Sequence, residues 1–179
     1  MFAARGWWLL RWLGHEAVAV LDGGRRAWAA AGGTLVPGAT PAPGGAAYPE
    51  LKTPLAVIEA DALLAALGGV NLIDARAPKR FRGEVEPLDA AAGHIPGALN
   101  RCFKDNLGAD GRFKPAAELR SAFAPLVAGD RPVMHYCGSG VTACHNLLAA
   151  AWAGFGVAGL YPGSWSEWSA DPRRPRAQG

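Results

Sequence analysis

Cysteine is scarce in this 179-residue chain, and the three present, Cys102, Cys137 and Cys144, form neither a paired framework nor a metal-ligand spacing. The fold therefore does not depend on disulfides, which points to a reducing, cytoplasmic setting. Charge of one sign is also scarce. The 18 Lys and Arg stand against 15 Asp and Glu, a net of +3, with no basic run beyond Arg173, Arg174 and Arg176. So small an excess does not indicate nucleic acid. Long hydrophobic runs are missing too. Trp7-Trp8-Leu9-Leu10 is cut by Arg11, is too short to span a bilayer, and lacks a small-residue cleavage site after it. It reads as an amphipathic helix with no membrane attachment. Hydrophobic residues as such are plentiful, at 50%, enough for one good core but hardly two.

The most informative stretch begins at Val133. Val133 to Tyr136 reads as a short buried strand. Thr142 to Trp152 reads as a helix with Ala143, Leu147, Leu148 and Ala151 on one face. The loop between them opens with Cys137 and carries Gly138 and Gly140, which can take φ > 0 at little cost. Such a loop curls its backbone N–H groups toward one spot at the positive end of a helix, an anion site made of backbone. An anionic sulfur at Cys137, bare or carrying one more sulfur, would sit inside it. The alternative is a buried structural cysteine beside a turn.

Along the chain, residues 2 to 13 have helical apolar spacing with Gly14 as the stop. Ala17 to Leu21 reads as a strand, Asp22-Gly23-Gly24 as a turn, and Arg25 to Ala31 as a second helix. A shift of 139 residues lays Ala4 on Ala143, Leu9 on Leu148, Val18 on Val157, Leu21 on Leu160 and Gly24 on Gly163, the mark of an internal repeat. Residues 34–48, rich in Pro, Gly and Ala, read as a linker. Beyond it, Val57-Ile58 is strand-like, Glu59 to Leu67 a helix closed by Gly68-Gly69, Val70 to Asp74 a buried strand, and Pro115 to Phe123 a helix. Alternating strands and helices predict an α/β fold with a mostly parallel sheet. The segment 173–179, after the breakers Pro172 and Pro175, is expected to be flexible.

Five blocks resemble the rhodanese superfamily: Asp74-Ala75-Arg76, Arg80-Phe81-Arg82-Gly83-Glu84, Gly93-His94-Ile95-Pro96-Gly97-Ala98-Leu99-Asn100, Cys137-Gly138-Ser139-Gly140-Val141-Thr142-Ala143, and Tyr161-Pro162-Gly163-Ser164-Trp165-Ser166-Glu167-Trp168. They cover about residues 50 to 172 in the family's order, and the loop has the form typical of mercaptopyruvate sulfurtransferases. The resemblance implies a rhodanese-like parallel sheet flanked by helices over residues 49–172. Residues 1–33 would be the helix–strand–helix end of a first, non-catalytic rhodanese domain, most of which is missing. An orphan strand and Trp7, Trp8, Trp12 and Trp28 would then need cover, from the second domain or by self-association. A chain starting near residue 46 is expected to stand alone as a monomer.

The resemblance further implies a sulfurtransferase with no metal or organic cofactor. Cys137 would take a sulfane sulfur from thiosulfate or 3-mercaptopyruvate and pass it to a thiol, cyanide or a thioredoxin-like reductant. The backbone of Gly138, Ser139, Gly140, Val141 and Thr142 would surround the sulfur. Arg80 would bind the donor's anionic group through its planar fork of donors. A second arginine found in many mercaptopyruvate enzymes some nine residues later is absent, since the segment reads Glu86-Pro87-Leu88-Asp89. Asp74 and Arg76 read as a structural ion pair beneath the loop, and His94 as part of a structural turn. His135, Cys102 and Cys144 read as core residues. Rival readings are an inactive fragment, a sulfur-carrier or interaction module, and a cysteine phosphatase. The last needs an arginine six residues after the cysteine, where Ala143 stands.

Overall fold

The computed structural model describes residues 1–39, 44–45 and 55–179. Residues 40–43 and 46–48 of the expected linker, and the expected domain start at residue 49, lie outside the described residues. Four short parallel strands form one sheet in the order β2-β1-β3-β4: β1 (Asn71–Asp74), β2 (Leu99–Asn100), β3 (Val133–Tyr136) and β4 (Gly159–Leu160). Asp74 pairs with Tyr136 and His135 with Leu160, so the carboxyl ends of the two central strands lie side by side. Val57 adds only an isolated parallel bridge to Leu160. The helices are α1 (Phe2–Trp12), α2 (Gly24–Ala30), α3 (Ala60–Ala65), α4 (Pro78–Phe81), α5 (Ala116–Phe123), α6 (Val141–Trp152) and α7 (Ser164–Ala170). The expected α/β architecture is therefore present, and no helix among the described residues is long and apolar enough to cross a membrane.

One part of the core joins Leu63 of α3 to Leu72, Tyr136, Tyr161, Trp165 and Trp168, all buried. A second places Trp7 and Trp8 of α1 against Ala143, Cys144 and Leu147 of α6, together with Cys137 and Leu160. A third packs Leu119 and Phe123 of α5 on the far side of α6, against Ala149 and Ala150. With neighbours on several sides, α6 buries His145 and Asn146 along with its apolar residues. Asn146 Nδ2 donates to Arg101 O at 2.8 Å, and its Oδ1 accepts from Asn106 Nδ2 at 2.7 Å, which keeps the polar groups satisfied.

Two expectations need correction. Residues 17–21 join no sheet ladder among the described residues; Val18 and Val20 instead face the α1–α6 cluster, alternating with exposed Ala17, Ala19 and Leu21. An extended segment with no neighbouring strand has no ladder to join, and burial of alternate valines is what holds it. Residues 173–179 are not loose. Ala177 N–H donates to His94 O and His94 N–H to Ala177 O, both at 2.9 Å. Trp168 Nε1 donates to Pro175 O at 2.8 Å, and Arg174 Nη1 to Glu167 O at 2.9 Å. This close return requires Gly93, at φ +119°, because a Cβ there would lie 2.3 Å from Ala177 O. The prolines set the direction of the tail, and its hydrogen bonds fasten it.

α1 packs on α6 rather than standing free, so Trp7 and Trp8 are covered while Trp28 remains exposed. This cover is supplied by the same face that a chain starting near residue 46 would leave bare. Replacing Trp8 by Ala is expected to lower unfolding free energy by roughly 3–5 kcal/mol, the range for a buried aromatic truncation. Urea titration followed by circular dichroism measures it; a loss below 1 kcal/mol would mean that α1 is peripheral.

Candidate active site

β3 delivers Cys137 to the carboxyl end of the sheet, and the chain turns at once into α6. Gly140 makes the turn at φ +74°, where an added Cβ would meet Pro162 O at 2.6 Å. Gly138, expected to share this conformation, is not among the positive-φ glycines. Arg80 lies over it instead, its Nη1 3.5 Å from where a Cβ would stand. The loop is pinned from α7: Trp165 N–H donates to Cys137 O and Ser166 N–H to Gly138 O, each at 2.9 Å. Ser164 Oγ accepts the Cys137 N–H at 3.1 Å and donates to Tyr161 O at 2.9 Å. To reach both, Ser164 takes φ +57°, the only positive φ outside glycine among the described residues. Such strain persists only where surrounding bonds hold it.

Among the described residues no acceptor receives the backbone N–H groups of Gly138, Ser139, Gly140, Val141 or Thr142. They form the open end of a twelve-residue helix, which favours negative charge. Cys137 is almost fully buried, yet it lines a cleft of about 460 Å³. Arg80, Asp89, Lys104, Ser139, Thr142 and Ser166 give this cleft its polar groups, while Phe2, Leu88 and Phe103 close it with apolar surface. Ser139 is exposed. Phe2 comes from α1, so the amino-terminal helix borders the site.

The charged residues are ordered by burial. Arg76 binds Asp74 through Nη2–Oδ2 at 2.7 Å and through Nε, and its own N–H donates to Asp74 Oδ1 at 2.8 Å. It also donates from Nη2 to Gly93 O at 2.7 Å, and lies over the Trp165 ring at 4.8 Å. Burial alone would lower its pKa, but the hydrogen bond and charge of Asp74 outweigh this and raise it. Arg80 is also bound within the protein, though less completely. Its Nε and Nη2 donate to Glu86 at 3.2 and 2.7 Å, and Nη2 also to Asp89 Oδ2 at 2.8 Å. Glu86 is held below the ordinary carboxylate range: burial opposes this, while Arg80 and the Leu88 and Asp89 N–H groups enforce it. The fork edge expected to bind an anion is thus occupied within the protein, and only Nη1 remains.

Sequence reasoning brought Cys137, its loop and Arg80 to one place. It assigned nothing to Ser164, Lys104, Glu86 or Asp89. Ser164 stood within a quoted block, and the acidic pair in a segment noted only for a missing arginine. Lys104, exposed and lining the cleft, forms no ion pair among the described residues. His94 has its Nδ1 2.8 Å from Phe81 O and its ring stacked on Phe81. Cys144 is buried with Sγ 3.3 Å from Gly140 O, and burial pushes its thiol up to about 11.

A strand-delivered cysteine at the head of a helix, ringed by free amides, defines a class. The Rhodanese-like domain profile matches residues 59–171, and the chain belongs to the rhodanese family. It is 55% identical over 184 residues to a probable 3-mercaptopyruvate sulfurtransferase of Pseudomonas aeruginosa, covering 99% of this chain and 64% of that protein. A putative thiosulfate sulfurtransferase, SseB, of Mycobacterium tuberculosis is 44% identical over 187 residues, covering 99% of this chain and 63% of that one. Human 3-mercaptopyruvate sulfurtransferase is 40% identical over 172 residues, covering 93% and 57%. The chain thus spans under two thirds of these curated relatives. Among solved structures, the anaerobic ergothioneine biosynthesis enzyme from Chlorobium limicola, in complex with trimethyl histidine, superposes with TM-score 0.82 at 25% identity, covering 98% of this chain and 45% of that one.

His135 lies behind the loop, fully buried with neither ring nitrogen hydrogen-bonded among the described residues. Burial pushes its pKa down from 6.5 to about 3. The unfolded chain therefore takes up a proton below pH 6.5 that the folded chain refuses. The stability from this neutral histidine is full above pH 6.5 and is lost as pH falls toward 3. Replacing His135 by Leu should shrink the stability difference between pH 7 and 4.5 by roughly 2–3 kcal/mol. Urea midpoints at the two pH values test this; an unchanged difference would place the acid sensitivity elsewhere.

Proposed function

We propose that this chain carries the transfer site of a sulfurtransferase, with Cys137 as its nucleophile. The observation that carries the reading is the Cys137 thiol at the floor of an open cleft, beside five backbone N–H groups with no acceptor among the described residues. The names of the relatives agree with it. Thiosulfate or 3-mercaptopyruvate is the donor, and a thiol, cyanide or a thioredoxin-like reductant the acceptor. With thiosulfate, the Cys137 thiolate attacks the outer sulfur; a new S–S bond forms, the old one breaks, and sulfite leaves with the electron pair. With 3-mercaptopyruvate the C–S bond breaks instead, and the carbon takes a proton to give pyruvate. Either route leaves a persulfide on Cys137, whose terminal sulfur lies where the loop amides can stabilise it.

Arg80 Nη1 and Lys104 hold the donor's anionic group, and Ser139 offers a hydroxyl. Asp74, Arg76 and His94 support the loop from below. Residues 1–33 are proposed as the end of a preceding rhodanese unit. Shifted by 139 residues, α1 and α2 fall on 141–151 and 163–169, within one residue of α6 and α7. Leu21 and Trp28 remain exposed there and would mediate any self-association. Three free cysteines favour a cytoplasmic setting.

Cys137→Ser should abolish sulfur uptake while leaving the fold intact, because a serine alkoxide is not accessible at neutral pH. Intact mass after exposure to each donor reads this directly. Sulfur found on Cys102 or Cys144 of that variant would overturn the assignment. Arg80→Lys should raise donor KM by about tenfold, the worth of one charge-assisted hydrogen bond of roughly 1.5 kcal/mol. A single ammonium cannot hold Glu86 and Asp89 and still serve the donor. Unchanged steady-state kinetics would make Arg80 structural only.

A further inference from the structure

The acidic residues around Arg80 bear on which donors the cleft accepts. Asp89 is fixed at both oxygens: Oδ2 takes Arg80 Nη2 at 2.8 Å, and Oδ1 takes the Ser166 hydroxyl at 2.5 Å. Ser166 is itself tied to the nucleophile's loop, its N–H donating to Gly138 O at 2.9 Å. The Asp89 side chain is 8% exposed, so its charge is weakly screened and cannot swing away, and it borders the cleft that holds Cys137. Beside it, Arg76 is neutralised by Asp74, and Arg80 by Glu86 and Asp89 together.

We propose that Asp89 is a specificity-determining residue of this site: it favours sulfur donors with one negative charge over donors with two. The proposal rests on the sulfurtransferase reading above. Lys104 and the free Nη1 of Arg80 suffice to hold one anionic group. A second negative charge meets the fixed Asp89 carboxylate, and repulsion grows in proportion to donor charge. 3-Mercaptopyruvate, with one carboxylate and a protonated thiol, falls in the accepted class, and the thiosulfate dianion in the disfavoured one. This rejects an unwanted substrate by placing a like charge against it.

The test compares the rates at which each donor loads sulfur onto Cys137, followed by intact mass. Asp89→Asn keeps the shape and can still receive the Ser166 hydroxyl. It should raise kcat/KM for thiosulfate relative to 3-mercaptopyruvate by about three- to tenfold, as expected for removing one nearby charge in a partly screened cleft. Asp89→Glu keeps the charge and should hold the wild-type ratio. If Asp89→Asn fails to fold, judged by its melting curve, Asp89→Ser carries the same comparison. A ratio unchanged in the uncharged variant, or shifted equally in Asp89→Glu, overturns the proposal. A wild-type chain that loads Cys137 from neither donor defeats the sulfurtransferase reading, and this inference with it.

Discussion

The buried ion pair of Asp74 and Arg76 is the interaction on which the rest of the site depends. Asp74 ends a central strand, and its backbone carbonyl also accepts from Arg101 N–H at 2.9 Å and Asn100 Nδ2 at 3.0 Å. Arg76 reaches from there to Gly93 O, to Glu86 and to the face of Trp165. One guanidinium thus joins the sheet end, the tail-bound turn at His94, the acidic segment and α7. Because both charges are out of water, removing either partner would strand the other at a penalty of about 3–5 kcal/mol. The pair ties together segments that border the cleft, and Arg76 itself lies along the cleft wall.

Around that anchor, charge is used twice. Glu86 touches both Arg76, at 3.3 Å, and Arg80, at 2.7 Å, linking the structural arginine to the one that borders the cleft. The loop's own contribution is neutral: amides at the open end of α6, which carry partial positive charge and do not compete for carboxylates. A site made mostly of backbone dipoles can favour an anionic sulfur while its ionic side chains remain paired. Lys104 is a side-chain cation at the cleft with no ion pair among the described residues.

α6 connects this chemistry to the amino-terminal helix. Arg5 of α1 approaches Gly140 O and Cys144 Sγ, each at 3.5 Å, and stacks over Trp8. The turn that aims Cys137 is therefore braced by α7 on one side and by α1 on the other. In the solved ergothioneine enzyme, which superposes over 98% of this chain, the same architecture forms under half of a longer chain.

Local spacing revealed much of this. Apolar periodicity located α1, α5 and α6 to within a residue or two. The Cys-Gly-Ser-Gly run placed a thiol between strand and helix, because both the strand's alternation and the helix's period are properties of neighbours in sequence. What lay beyond local pattern were partners. Residues 17–21 have strand composition, but a strand needs a neighbour. The tail has loop composition, yet two hydrogen bonds to His94 hold it. Arg80 was readable as a cation near the cysteine, whereas its capture by Glu86 and Asp89, six and nine residues on, required the intervening chain to fold back. Residue types and short-range spacing decided that a cysteine heads a helix. Only the tertiary structure decided which charges around it are free to act, since pairing depends on distances of a few ångströms between segments whose separation the sequence does not record.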